Sequence, residues 1–277
     1  MSTLAPSAGG LRTRLRWQLA DSLAFAGRNL AHVRQVPEKL MDVTLQPLMF
    51  VLLFAFVFGG VIHVPSGNYR EYLIGGIVVQ TLGFGVMGPG VSIATDLTEG
   101  IVDRFRSLPA SRAAYLYGHL LAELAAAMLG VAVMMLTGLL IGWGIHADVP
   151  HALAGVALIV LIATTALWVG TLLGVVVRVP DAVQGFVFVL IFPLTFVSNV
   201  FVPASGLPDG LRQVAEWNPF SAFAAALRTL FGNPTALPDN APWPLTHPVL
   251  ASVLWCAGLL ALVVPLTIDR YRARTTG

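Results

Sequence analysis

Long apolar runs recur along this chain and dominate what it can fold into. Six of them are expected to cross a membrane, at residues 42–62, 72–95, 113–145, 152–177, 182–201 and 248–268. A helix needs about 20 apolar residues to cross a hydrocarbon core about 30 Å thick. With 56% hydrophobic residues, 11% charged residues and a mean hydropathy of +0.79, the chain is too apolar for a soluble domain of its length. The predicted fold class is an all-α membrane protein with six transmembrane helices.

The segments outside these runs have their own patterns. Residues 1–10 are predicted to be a disordered tail, and residues 11–40 a basic amphipathic helix that lies in the membrane interface. A plain solvated helix is the alternative for the second segment. Residues 203–247 are rich in Pro and Gly and carry two apolar stretches that are too short to cross. We therefore expect short extracellular re-entrant or interfacial helices between spans five and six, followed after span six by a cytoplasmic tail at 269–277.

The basic residues are distributed unevenly between the two sides that six spans would define. Thirteen of the sixteen Lys and Arg residues fall in the N-terminal segment, the segment between spans two and three, the turn after span four, and the tail. The other three are Arg70, Arg212 and Arg228. Loops rich in Lys and Arg stay on the cytoplasmic side, so both termini are predicted to be cytoplasmic.

A charged segment, residues 96–112, separates spans two and three. It contains three acidic and three basic side chains, each of which costs about 2.5–3.5 kcal/mol at the centre of a bilayer even on lenient scales. The segment must therefore lie outside the hydrocarbon. We expect a short helix at 96–108, capped by Asp96 or Thr98 and ended by Pro109, that protrudes to dock on a soluble partner.

Several kinds of chemistry have no signature in this chain. A phosphate-binding P-loop needs Gly-Lys-Ser/Thr, but the one lysine, Lys39, lies between Glu38 and Leu40. The run from Gly83 to Gly88 matches G-x-G-x-x-G inside an apolar span, where close helix packing is a better explanation than dinucleotide binding. One cysteine and six scattered histidines form no metal-ligand pattern. We therefore expect no enzyme, no metal and no cofactor in this chain.

A few polar residues inside apolar sequence are candidates for a transport pathway or for gating. Glu123 is an acidic residue in span three, where an ionisable group is a functional candidate, although a carboxylate at the interface or paired with Arg is favoured slightly. Ser198 and Asn199 lie near the outer end of span five, where they either bond helices together or line a path. Asn218 and Pro219 follow in the re-entrant segment.

Two motifs in this sequence carry a resemblance to a known family. The charged segment has Glu99-Gly100, an acid–Arg pair and a Leu-Pro-x-Ser-Arg ending, and the second motif runs from Ser198 to Arg228 through Trp217-Asn218-Pro219-Phe220-Ser221. Together they resemble type-2 ABC export permeases, especially the daunorubicin-resistance subfamily. In that family the first motif docks on the ATPase, which implies this role here for Asp96, Glu99, Gly100, Asp103, Arg104, Phe105, Arg106, Pro109 and Arg112.

The resemblance also implies partners and a direction of transport. Such a permease has no ATPase of its own, pairs with a second permease half, and binds two copies of a separate ABC ATPase that holds ATP and Mg. Its substrate is a hydrophobic drug, lipid or glycolipid that moves outward. Other readings are a permease that exports lipid-linked polysaccharide, an ATP-independent secondary carrier, and an integral-membrane enzyme. A carrier needs charges or broken helices at the midplane, and apart from Glu123 the predicted spans are expected to lack both.

Overall fold

In a computed structural model, the chain is described at residues 45, 48–59, 62, 64, 68–99, 112–177, 179–235, 237 and 240–276. These residues form helices and the turns between them, which confirms the predicted all-α class. The helices, in chain order, are α1 (Leu48–Val57), α2 (Tyr69–Phe84), α3 (Met87–Thr98), α4 (Arg112–Leu140), α5 (Val149–Val176), α6 (Pro180–Phe196), α7 (Asp209–Trp217), α8 (Pro219–Phe231), α9 (Trp243–Thr246) and α10 (Pro248–Thr276).

Four segments of the described chain are long and apolar enough to cross a membrane: Tyr69–Thr98, Leu116–Leu140, Val149–Val176 and Pro248–Tyr271. They correspond to predicted spans two, three, four and six. Helix α6 is also apolar, but its 17 residues extend only about 26 Å, somewhat less than a hydrocarbon core. The total of six spans and the re-entrant helices at 203–247 therefore stay predictions.

The expectation that the spans lack broken helices is wrong for the second predicted span, which is broken near its middle. Helix α2 ends at Phe84 and α3 begins at Met87, with a turn at Gly85 and Val86 between them. Pro89 explains the position of the break, because it has no N–H to donate to the carbonyl of Gly85 and its ring crowds that carbonyl. The backbone tightens just before it, where the Val86 N–H donates to the carbonyl of Gly83 at 3.3 Å.

Glycines let α3 and α5 approach until their backbones touch. A Cβ atom added to Gly170 would lie 2.2 Å from the carbonyl oxygen of Val86, and one added to Gly174 would lie 2.4 Å from that of Gly90. Gly83 is also closely packed, since a Cβ atom added to it would lie 2.5 Å from the Phe220 ring. Within the G-x-G-x-x-G run, Gly83 is therefore a site of close helix packing, as that interpretation predicts.

The two short helices after α6 have different environments. In α8, eleven of the 13 residues are buried, and the helix packs against α2, α5 and α10. Helix α7 instead exposes Leu211, Val214 and Trp217, at 48%, 57% and 58% of their surfaces. An apolar helix enclosed by neighbours is part of the core, whereas an apolar face on the periphery is typical of a membrane interface.

The predicted start of the charged helix is wrong. Asp96 and Thr98 do not cap a new helix, because α3 continues through both of them and ends at Thr98. The Thr98 hydroxyl donates to the carbonyl of Thr95 at 2.9 Å, so it bonds within the helix that it was expected to follow. Apolar packing of α3 on α5 carries the helix past the point where charge begins in the sequence.

Candidate functional site

The charged segment joins α3 to α4, and the structure places only its two ends. Asp96 lies in the last turn of α3, Glu99 is the residue that follows the helix, and Arg112 is the first residue of α4. The Glu99 N–H donates to the carbonyl of Thr95 at 2.9 Å, so the backbone is still helical where the segment begins. The other predicted docking residues lie outside the described residues: Gly100, Asp103, Arg104, Phe105, Arg106 and Pro109.

A small apolar cluster places both ends of the charged segment at the same end of the helix bundle as the C-terminal part of α10. Ile93 of α3, Leu116 of α4, Val175 of α5 and Tyr271 of α10 pack together, and each is buried. Beside them, the Arg274 guanidinium donates to the carbonyl of Val176 at 2.9 Å. The structure thus brings together, in space, three of the regions in which the sequence concentrates its arginines.

Glu123 faces the broken span from α4. A Cβ atom added to Gly88, just after the break, would lie 3.0 Å from Glu123 Oε2. The described ion-pair neighbour of Glu123 is His119, one turn earlier, at 4.0 Å. The absence of a side chain at Gly88 is what admits the carboxylate, so Glu123 packs beside α3, with 26% of its side-chain surface exposed.

The predicted polar residues after α6 are brought together, and they bond to the backbone. The Asn218 side chain donates to the carbonyls of Leu194 and Val197 at 2.7 and 2.8 Å, while its oxygen accepts from the Phe220 N–H at 2.9 Å. The Val200 N–H donates to the Ser198 hydroxyl at 3.2 Å.

These bonds satisfy the end of α6 and the start of α8, where backbone groups have no partner within the helix. Asn199 takes part through its own backbone, since its N–H donates to the Ser221 hydroxyl at 2.9 Å. Pro219 occupies the first position of α8, where its fixed φ and missing N–H cost nothing. The described role of this group is structural, and a role in the pathway stays a prediction.

Arg228 is the functional candidate that the sequence reasoning missed. It was counted as a cation on the outer side, but none of its surface is exposed. Its Nε donates to the carbonyl of Tyr72 at 2.8 Å, and one terminal nitrogen donates to the carbonyls of Asn199 and Val200 at 3.0 and 2.9 Å. The guanidinium carbon lies 3.4 Å from the centre of the Tyr72 ring. Among the described residues, no carboxylate pairs with this arginine.

A signal for this burial was present in the sequence. Arg228 stands in the apolar stretch of α8, four and seven residues after Ala224 and Ser221, so all three share a helical face. An arginine on such a face is buried only with partners, and here backbone carbonyls and an aromatic ring supply them. Those partners come from Tyr72 and from residues 199–200, which no local pattern connects to α8.

The fold and these features define a multi-pass α-helical membrane protein. Its helices are long and apolar, a polar segment interrupts them, and its one fully buried arginine among the described residues is bonded to carbonyls rather than to an acid.

Comparison with known proteins then gives the family. Residues 23–231 match the family described as ABC-2 type transporter, so the chain belongs to that family and is a membrane permease. It is 28% identical over 280 residues to the daunorubicin resistance ABC transporter permease DrrB1 of Streptomyces coeruleorubidus, with 98% of this chain and 96% of the relative covered.

Two relatives from Mycobacterium tuberculosis are also similar. The doxorubicin resistance permease DrrB is 25% identical over 81% of this chain and 80% of its own length. The probable doxorubicin resistance permease DrrC is 25% identical over 96% of this chain and 94% of its own. The family resemblance that rested on the two sequence motifs is confirmed.

Proposed function

We propose that this chain is the permease half of an ATP-driven exporter that moves a hydrophobic drug, lipid or glycolipid out of the cytoplasm or the inner leaflet. Membership of the ABC-2 type family and the similarity to permeases named for daunorubicin and doxorubicin resistance support an exporter. The apolar spans support a chain that is embedded in the bilayer. The chain has no ATPase site in this proposal, and ATP and Mg are held by a separate ABC ATPase.

The observation that carries the proposal is the position of the charged segment. It follows α3 and precedes α4 at the end of the bundle where Tyr271 and Arg274 also lie. We assign this end to the cytoplasm, because the charged segment, the turn after α5 and the tail, which meet there, hold seven of the chain's basic residues. Two ATPase subunits would contact the segment there, with Phe105 as an apolar anchor and Glu99, Asp103, Arg104 and Arg106 as charged contacts.

The proposed topology places both termini in the cytoplasm of a bacterial cell and the chain in the inner membrane. Helices α1 and α6 complete six spans, and α7 and α8 form the re-entrant segment on the outer side. The amphipathic helix predicted at 11–40 would lie beside the charged segment. The ATPase would push on both when it closes on ATP. Each permease would pair with a second half, identical or related, to enclose the pathway.

The test separates docking from insertion. The permease is produced together with its ATPase, and Phe105→Ala and Arg104→Glu are compared with two controls far from the segment. Leu262→Ala truncates an apolar side chain that is 65% exposed on α10, and Asp209→Arg reverses an exposed charge at the start of α7. The measurements are the amount of permease in the membrane, the ATPase that co-purifies with it, and ATP-dependent uptake of doxorubicin into inverted vesicles.

We expect both segment variants to insert normally, to lose most of the co-purifying ATPase, and to lose uptake, while both controls behave as the wild type. A truncated anchor or a reversed charge at the centre of an interface costs about 2 kcal/mol or more when it is a hot spot, which is about a thirtyfold loss of affinity. Normal uptake by Phe105→Ala and Arg104→Glu would show that the docking role is wrong. Uptake that needs a proton gradient but no ATP would instead identify a secondary carrier.

A further inference from the structure

One guanidinium joins three segments that are far apart in the chain. Arg228 projects from α8 and bonds to the carbonyl of Tyr72 in α2 and to the carbonyls of Asn199 and Val200 after α6. The Tyr72 hydroxyl adds a bond of its own, donating to the carbonyl of Asn199 at 2.6 Å. We call α2, α8 and residues 199–200 the outer unit.

The outer unit is built to accept this arginine closely. Gly76 lies on the same face of α2, and a Cβ atom there would lie 2.0 Å from the Val200 carbonyl oxygen and 3.1 Å from a terminal nitrogen of Arg228. Only a residue without a side chain lets α2 pass this close to the bonded pair. Gly75, the preceding residue, is likewise tight against the Arg228 side chain, at 3.2 Å.

Separating the members of the outer unit is strongly unfavourable. An arginine does not lose its proton in a protein, so its charge would remain if the carbonyls moved away. In a membrane-embedded, low-dielectric position, a buried charge without hydrogen bonds costs far more than a neutral group does. A transport cycle that pulled α8 away from α2 would have to meet that cost at every turnover.

The other half of the broken span belongs to a different contact. At the turn, Gly170 of α5 lies against the Val86 carbonyl, and beyond the turn Gly174 lies against the Gly90 carbonyl of α3. Helix α5 also packs on α2 and α8, but the bonds of Arg228 hold the span only on the α2 side of the break. A helix interrupted by proline bends most easily at the interruption.

We propose that Arg228 is a positioning residue for transport: it keeps the outer unit together, so that movement entering at the charged segment bends the span at Gly85–Val86. This inference rests on the proposed function, because it assumes an ATPase that pushes on the segment after α3. It assigns to Arg228 no contact with the substrate. Without the arginine, movement driven by the ATPase would slide α2 against α8 instead of bending the span. ATP would then be hydrolysed without transport.

Two substitutions test this from opposite sides of the bond. Arg228→Gln removes the charge, and Gly76→Ala leaves Arg228 intact but displaces the Val200 carbonyl that it binds. Arg228→Lys keeps the charge without the planar fork that reaches several carbonyls. The controls are Gly185→Ala, where an added Cβ meets nothing within 4 Å, and Arg212→Gln, which removes an arginine that pairs with Glu216 on α7.

Each variant is measured in inverted vesicles that contain the full permease and its ATPase. Uptake of doxorubicin and flipping of a fluorescent phospholipid serve as the two probes, and both are divided by the ATP hydrolysed in the same vesicles. Inserted permease and co-purifying ATPase are quantified as well. A wild-type complex that moves neither probe with ATP contradicts the proposed function itself, whereas the inference is judged on the variants of a working complex.

We expect Arg228→Gln and Gly76→Ala to retain the ATPase and its activity but to lower transport per ATP by about tenfold or more, since losing one charge-assisted bond shifts an equilibrium by at least that factor. Arg228→Lys should fall between them and the wild type, and both controls should match the wild type. An unchanged ratio in Gly76→Ala overturns the proposal, even if Arg228→Gln fails to insert. Loss of uptake that only follows the amount of inserted permease overturns it too.

Discussion

The contact between α3 and α5 makes a quantitative prediction for Gly170→Ala. The new Cβ would lie 2.2 Å from the Val86 carbonyl oxygen and 2.8 Å from Pro89 Cγ. Ordinary contacts between carbon and a carbonyl oxygen are about 3.3 Å or longer, so the helices must separate by about 1 Å. The atoms that block the methyl group belong to the backbone and to a proline ring, which cannot rotate away.

A separation of about 1 Å forfeits a quarter to a half of the dispersion energy of the contacts that it opens. We therefore expect Gly170→Ala to lower the free energy of unfolding by about 1–3 kcal/mol, the usual cost of overpacking. For a chain of this size the midpoint temperature should fall by about 2–10 °C. The assay is thermal unfolding of the purified permease in detergent, followed by tryptophan fluorescence.

Two other glycines give the matched comparison. Gly258→Ala adds a methyl group that meets nothing within 4 Å on α10, and alanine favours a helix over glycine by up to about 1 kcal/mol, so this variant should be as stable as the wild type or more so. Gly138→Ala meets the flexible end of the Ile74 side chain at 3.1 Å and should cost less than Gly170→Ala. If Gly170→Ala unfolds at the same temperature as Gly258→Ala, the close backbone contact does not exist.

Two further predictions concern the junctions of the fold. Asn218→Ala should lower the free energy of unfolding by about 2–4 kcal/mol, because it removes hydrogen bonds to Leu194, Val197 and Phe220. The assay is the thermal unfolding used for the glycine variants, and wild-type stability would contradict the junction described after α6. Pro89→Ala restores an N–H that can donate to the carbonyl of Gly85, so the protein should be as stable as the wild type or more so. The amount transported per ATP should fall, and an unchanged amount would show that bending at the break is not needed.

Much of the membrane architecture could be predicted from local sequence. Span four was expected at 152–177 and lies at Val149–Val176, because the length of an apolar run is compared directly with the thickness of a bilayer. Short motifs in the charged segment and around Trp217-Asn218-Pro219 also sufficed for the family, which the comparison confirms.

The role of single polar residues was harder to predict. Asp96 was expected to begin a helix and instead lies near the end of one, since apolar packing on α5 decides where α3 stops. Asn218 was a candidate for the pathway, and its side chain proves to be used by the ends of α6 and α8. Polar side chains serve caps, junctions and sites alike, and the sequence does not say which neighbour is in reach.

By itself, the amino-acid sequence determined that this is a membrane protein, because partition between oil and water depends on residue type and run length alone. Two short motifs determined its family. Only the tertiary structure decided that an arginine taken for an outer-loop cation is enclosed in the core. Its partners lie 156 positions away at Tyr72 and 28 away at Val200. A charge buried in a protein core needs hydrogen-bond partners, and here those partners are distant backbone groups that only packing brings together.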